Sequence, residues 1–314
     1  MTDVTVVGAG VIGLTCALRL LEEGIGVTVR SADEPRHTVS ATAAAVWYPS
    51  GVPDGDERLL RWAGAGFDRL TDQAERGVPG AVMRPTRMLL RRPAPRPWWA
   101  DVVPDFRVLD PAEAPHGCAA EWRFTAPTGE MRPYLRWLLQ RFAEGGGVLD
   151  RRPVENLADL AALVVVNASG LAARTLADDP AVHPIRGRIV LVTNPGLEVS
   201  VRDEQNPDGP AYVHPRSADV VLGGSVEPHQ AETTLDADAA GAILDRCRAL
   251  VPALRRARVL GEAVGLRPGR AGGIRLEAVP GPREGATVIH NYGHGGAGVT
   301  LAWGCAEDTL RLVG

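Results

Sequence analysis

Lysine is missing altogether: all 34 lysine-or-arginine positions of this 314-residue chain are arginine. That excludes a lysine Schiff base, and with it pyridoxal-phosphate chemistry. Cysteine is scarce. Cys16, Cys118, Cys247 and Cys305 are widely scattered, with no CxxC pair and no metal-like spacing, so free thiols and no metal site are expected. No apolar run reaches the roughly 18 residues that a membrane helix needs. A net charge of −4 with an ordinary charged fraction of 23% offers no basic face for nucleic acid or an anionic membrane. No charged-then-apolar leader precedes the first strand pattern, and the closing Arg311-Leu-Val-Gly314 is not a peroxisomal tripeptide. A cytoplasmic protein without a membrane segment is the expectation.

Glycine, by contrast, is plentiful, and its placement at the start is informative. Val4-Thr-Val-Val runs into Gly8-Ala-Gly10-Val11-Ile12-Gly13, then Leu14 to Leu21 follow at helical spacing. Strand, tight turn and helix in this order form a dinucleotide-binding unit. Gly8 makes the turn, Gly10 lets backbone approach a pyrophosphate, and Gly13 lets the helix pack closely on the strand. The first helical N–H groups, with Val11 and Ile12, then face the phosphates. Gly26-Val-Thr-Val-Arg30 reads as the next parallel strand. Asp33 lies about 20 residues past the glycines, where an acid meets a ribose hydroxyl. Arg30, at the strand's end, is placed either for an adenosine phosphate or to stack on adenine.

Beyond residue 50 the periodicity changes. Leu59-Leu60, Trp62, Phe67 and Leu70 suit an amphipathic helix, while Val82 to Leu90 and Glu121 to Thr125 read as strands. Trp98-Trp99 is expected to pack rather than to form a surface patch. Met131 to Phe142 is a strong amphipathic helix stopped by Gly145-Gly-Gly147. Leu163-Val-Val-Val166 is a continuous apolar run, as expected of a strand buried on both faces, and it ends in Asn167-Ala-Ser169-Gly170, where ligands bind open α/β sheets. His183 to Val192, Ala211 to Pro215 and Asp219 to Gly224 form a further β-rich block. Arg202 to Pro210 reads as a polar loop of the lid type, and Asp236 to Leu250 as a helix. The expected class is α/β: a Rossmann-like domain, discontinuous over 1–50, 131–184 and 259–314, interleaved with a mainly antiparallel β-sheet substrate domain over 51–130 and 185–258.

The C-terminal part repeats the logic of the start. Val288 to Tyr292 leads through Gly293-His-Gly295-Gly296-Ala297-Gly298-Val299-Thr300 into a helix, so backbone N–H groups there can meet electron-rich atoms of a large cofactor. Two glycine-rich turns at opposite chain ends suit a long cofactor such as FAD better than a mononucleotide.

With these motifs the chain resembles the D-amino acid oxidase family. The matching stretches run in family order over essentially the whole length: Val6 to Leu14, Ala44 to Pro49, Val164 to Gly170, Ile185-Arg-Gly-Arg188, Tyr212-Val-His-Pro215, Gly265-Leu-Arg-Pro-Gly-Arg270, Ile274 to Glu277 and His290 to Gly298.

The resemblance implies non-covalent FAD lined by residues around Ser40, Ala45, Val46, Val154, Ser169 and Gly295 to Thr300. It assigns Arg275 as the arginine gripping the substrate carboxylate, next to the cofactor, with Tyr212 supporting it. Gly296 is implied to accept from the substrate amine. Tyr48 and His214 fall where pocket-lining side chains are expected. Arg216 could reach an acidic substrate side chain, but a solvated role is the expectation. The lid tyrosine found in animal members is replaced here by Asp208. The implied reaction is hydride transfer from the Cα of a D-amino acid, neutral or hydrophobic in side chain, to flavin N5. The products are a 2-oxo acid, ammonia and, with oxygen as acceptor, hydrogen peroxide. No general base is nominated, and His290 and His294 are read as structural. Oxidation of glycine or D-aspartate, electron transfer to a quinone, and FAD binding without catalysis are the alternatives; small-molecule partners only, with a homodimer left open, complete the expectation.

Overall fold

The computed structural model describes residues 4–49, 51–52, 56–110, 112–115 and 117–314. The chain opens with β1 (Val4–Val7), α1 (Val11–Glu22) and β2 (Val27–Arg30), followed by α2 (Glu57–Glu75) and β3 (Ala81–Leu90). Next come β4 (Arg107–Leu109), β5 (Ala120–Gly129), α3 (Met131–Glu144), β6 (Val148–Asp150) and β7 (Val164–Asn167). After the short α4 (Ala173–Leu176) lie β8 (Val182–Val192), β9 (Ser200–Asp203), β10 (Ala211–Pro215), β11 (Val220–Gly223) and β12 (Glu227–Pro228). Helix α5 (Ala237–Leu250), β13 (Val259–Arg270), β14 (Arg275–Pro280), β15 (Thr287–Tyr292) and α6 (Gly298–Val313) close the chain.

Two sheets organise these elements. The first has six strands in the order β14-β15-β7-β1-β2-β6. Its pairings are parallel apart from β14 with β15. Val165 and Val166 of β7 are buried, as the unbroken apolar run required. Helix α1 is apolar nearly all round because it is wedged between this sheet, α3 and α6; Leu14, Cys16, Ala17 and Leu20 are fully buried. Helix α3 instead buries one stripe, Tyr134, Leu135, Leu138 and Phe142, and stops at Gly145.

The second sheet is built from β3, β4, β5 and β8 to β13, antiparallel except where β3 runs parallel to β9. Helix α5 covers it, its N-terminus capped by the Asp236 carboxylate accepting from Asp238 and Ala239 N–H. Strand β13 pairs along its length with β8. Residues 259–270 therefore belong to the antiparallel sheet, and the return to the first sheet comes only at β14, not at the residue 259 expected from the sequence. The residue types of Val259–Arg270 do not tell which sheet so long a strand joins. The expected loop from Arg202 to Pro210 is likewise shorter, because Arg202 and Asp203 still belong to β9.

Candidate active site

A cavity of about 1010 Å³ runs between the two sheets and is lined by residues of both. At one end stands the turn between β1 and α1. Gly8 has φ +109°, and a Cβ there would lie 2.5 Å from the Ala168 carbonyl oxygen. A Cβ on Gly13 would lie 1.9 Å from the Gly8 carbonyl oxygen, so only glycine lets helix and turn approach this closely. Gly8, Gly10, Val11 and Ile12 line the cavity. The Ser40 hydroxyl accepts from Val11 N–H at 3.0 Å and braces the helix entry. The first turn of α1 holds no acidic residue, so its positive dipole end is left for an incoming anion. The N-terminus of α6 meets the same space through Gly295, Gly296, Gly298 and Val299, also with no acid in its first turn. Asp33, Ala45, Val46 and Ser169 line the cavity between these two helix ends. Two unneutralised helix N-termini on one long cavity fit a cofactor with an anionic middle and an electron-rich ring system.

The far end is walled by the antiparallel sheet. Tyr212 and His214 are two apart on β10, so they leave the same face, and their rings stack at 4.7 Å. Burial pushes the Tyr212 phenol upward, while the Arg267 and Arg202 charges pull it back. His214 is held well below the usual imidazole range by burial and then by Arg202 and Arg216, and is neutral. Tyr48 lines the cavity opposite. Its ring is fixed edge-on against Trp99 at 5.6 Å, and Thr300 Oγ1 accepts from its N–H and donates to its carbonyl, each at 3.0 Å. Trp99 is the buried centre of an aromatic cluster with Trp47, Phe106, Trp122 and Phe124, the packing role expected for the tryptophan pair.

Several expected site residues stand elsewhere. Arg275 is not in the cavity wall: its Nε donates to Glu277 Oε1 at 2.7 Å and its Nη1 to Tyr292 Oη at 2.8 Å. Tyr292 in turn donates to Asp179 at 2.9 Å. Alternation along β14 puts Arg275 and Glu277 on one face, so the surface pairing wins over the cavity. Arg30 turns to Asp150 of the neighbouring strand at 3.2 Å, leaving Asp33 as the residue facing the cavity there. Val154 packs with Val7, Leu157 and Val165. Ala297 is fully buried behind the α6 entry, and Thr300 is used on Tyr48 rather than on the cavity. Arg216 is paired through two hydrogen bonds to Asp219 and does not line the cavity. His290 and His294 are both held at about 4, by burial first and for His290 next by Arg275, so neither carries charge near neutrality.

Several charged residues of the cavity were not among the expected ones, and three of them stand by Tyr212 and Tyr48. Arg267 lines it from β13, its Nη1 donating to the Ser225 carbonyl at 3.1 Å. Its guanidinium lies in the gap left by Gly187 of β8, where a Cβ would be 2.4 Å from Nη2. Gly187, in the Ile185-Arg-Gly-Arg188 stretch, was the legible signal. Arg202 and Glu204 also line the cavity, hidden in the sequence by the loop-like composition around them. Among the described residues no group of His, Cys, Asp and Glu could hold a metal ion, and no helix is long and apolar enough to cross a membrane.

The family model described as FAD dependent oxidoreductase matches residues 3–312. A D-amino-acid oxidase of Rubrobacter xylanophilus is 49% identical, over 98% of this chain and 95% of that protein. A D-amino-acid oxidase of Streptomyces coelicolor is 38% identical, over 99% and 96%. The crystal structure of glycine oxidase from Geobacillus kaustophilus superposes with a TM-score of 0.83 over 100% of this chain and 95% of that one, at 21% identity, a likeness of fold.

Proposed function

The chain belongs to the FAD dependent oxidoreductase family, and on that premise we propose that it oxidises D-amino acids to 2-oxo acids, releasing ammonia and, with oxygen as acceptor, hydrogen peroxide. The single observation that carries the reading is the cavity itself, which joins two helix N-termini at one end to an arginine and a tyrosine at the other. The two relatives named D-amino-acid oxidase supply the substrate class.

The residues fit FAD. The Gly8–Ile12 turn and the α1 dipole would hold its pyrophosphate, Asp33 its ribose, and the α6 entry with Ala45 and Val46 its ring system. When bound, FAD supplies the hydride acceptor and passes the electrons on to oxygen. Everything else falls to the protein. Arg267, rather than Arg275, grips the substrate carboxylate, because its guanidinium fork is the one that opens on the cavity beside Tyr212. Tyr212 keeps its phenolic proton at any ordinary pH, since burial raises its pKa, and so donates to the same carboxylate. Gly296 lines the cavity where its backbone carbonyl can accept a hydrogen bond from the amine. Fixing the carboxylate and the amine orients the Cα–H, and orientation of this kind lowers barriers by up to ~7–11 kcal/mol. The neutral imidazoles of His214 and His294 add no charge to compete for the carboxylate. No side chain is needed as a general base once the amine is neutral.

The test is product formation by the purified, FAD-containing protein. Peroxide and 2-oxo acid should appear in equal amounts from D-alanine or D-valine and not from the L-enantiomers. A protein that releases neither product from any D-amino acid, or that oxidises the L-series instead, overturns the reading.

A further inference from the structure

A second cation faces the cavity besides the carboxylate anchor. Arg202 of β9 lies directly across from Tyr212 of β10 in the strand register, so both side chains leave the same face of the sheet. Its side chain is only 9% exposed. The guanidinium carbon sits 4.3 Å from the Tyr48 ring centroid and 5.8 Å from that of Tyr212, sandwiched by aromatic faces. Burial opposes the charge, but Glu204 together with Tyr48 and Tyr212 outweighs it and the guanidinium stays cationic. Glu204 Oε1 accepts from Arg202 Nη2, and Glu204 Oε2 accepts from the Tyr48 hydroxyl at 3.4 Å. Arg202 Nε is buried and has no hydrogen-bond partner. Arg267, Tyr212, Arg202 and Tyr48 thus form a row: a carboxylate anchor at one end, and a cation held by an internal carboxylate at the other.

A buried guanidinium requires a counter-charge, and Glu204 supplies the one that an acidic substrate side chain would otherwise bring. We propose that the Arg202–Glu204 pair reads the substrate side chain, with Glu204 occupying the position of a distal carboxylate. The unaltered protein therefore favours D-amino acids with uncharged side chains over D-aspartate and D-glutamate. This rests on the oxidation of D-amino acids proposed above. An acidic side chain would place two carboxylates on one guanidinium, a like-charge contact beside the part-exposed Glu204. An uncharged side chain leaves the pair intact and packs on the outer faces of Tyr48 and Tyr212. The unpartnered Arg202 Nε remains available to an accepting atom such as a side-chain amide oxygen.

The experiment compares the unaltered holoenzyme with E204Q and with the double variant R202M/E204Q. Glutamine keeps an acceptor oxygen for Arg202 and can donate from its amide to the Tyr48 hydroxyl oxygen, but removes the charge. The first readout is binding without turnover, followed as perturbation of the bound FAD absorbance by glutarate against butyrate. The second is kcat/KM for D-glutamate relative to D-valine. E204Q should raise both preferences for the dicarboxylate or acidic compound at least tenfold, and the double variant should cancel the gain. An unchanged ratio in E204Q, or an unaltered protein that already prefers D-glutamate to D-valine, overturns the proposal. If no D-amino acid is oxidised by any form, the oxidase reading falls, and the glutarate titration alone still decides whether Glu204 blocks a carboxylate at Arg202.

Discussion

Replacing Arg267 by methionine, and in parallel Arg275 by methionine, separates two arginines that the sequence presents eight residues apart. Methionine keeps the length and most of the apolar stem of each. At Arg267 the change removes the guanidinium that opens on the cavity beside Tyr212. Losing one partner of a buried, charge-assisted pair costs about 2–5 kcal/mol. In kcat/KM that is about 30- to 5000-fold, at 1.36 kcal/mol per decade. The loss should fall equally on substrates and on carboxylate competitors such as benzoate, whose binding is followed through the absorbance of bound FAD. At Arg275 the change removes a half-exposed pairing with Glu277 and one hydrogen bond to Tyr292, which keeps its bond to Asp179. Surface pairs contribute about 0–1 kcal/mol, and the neutral-partner bond about 1 kcal/mol more. R275M should therefore lose about 1–2 kcal/mol of folding stability by urea titration, with kcat/KM within about threefold of the unaltered protein, equivalent to ~0.6 kcal/mol. If R275M abolishes competitor binding while R267M leaves it intact, the geometric reasoning is wrong and Arg275 must reorient in the holoenzyme.

Gly187→Ala should leave the fold in place but push the Arg267 guanidinium aside, since the new Cβ would stand 2.4 Å from Nη2. Overpacking of this kind costs about 1–3 kcal/mol, so KM should rise about 5- to 150-fold, and an unchanged KM would refute the supporting role. Gly13→Ala places a Cβ 1.9 Å from the Gly8 carbonyl oxygen; FAD affinity measured by flavin fluorescence should fall by about two orders of magnitude, equivalent to ~3 kcal/mol. His294, fully buried, is held at about 4 by desolvation against 6.5 when exposed, so the unfolded chain takes up its proton first as pH falls. Its contribution to stability is complete above about pH 6.5 and disappears as pH drops towards 4, a loss of about 3 kcal/mol. Urea unfolding of the FAD-free protein at pH 7.5 and 4.5 should show this, and His294→Gln should remove that part of the pH dependence.

The nucleotide half of the fold was readable because its signals are local. The Gly8–Gly13 turn, the two-sided burial of β7 and the glycine-rich entry to α6 each depend on residues adjacent in sequence. The far end of the cavity was less readable because it depends on register. Arg267 and Arg275 look alike as arginines on strands; only the pairing of β13 with β8 and of β14 with β15 decides which faces the cavity. Arg202 was masked by its polar neighbours, although Ser200-Val201-Arg202-Asp203 is a buried strand whose alternation fixes the side chain beside Tyr212. Arg30 shows the same limit, since its partner Asp150 comes from a strand 120 positions later.

The most direct test of the account mixes the FAD-containing protein, without oxygen, with D- and L-enantiomers of the same amino acids and follows the flavin absorbance. Rapid bleaching by neutral D-amino acids, absent with their L-forms and lost in R267M, is the predicted result. A flavin that stays oxidised with every D-amino acid, or bleaches equally with both enantiomers, would contradict the assignment of this cavity.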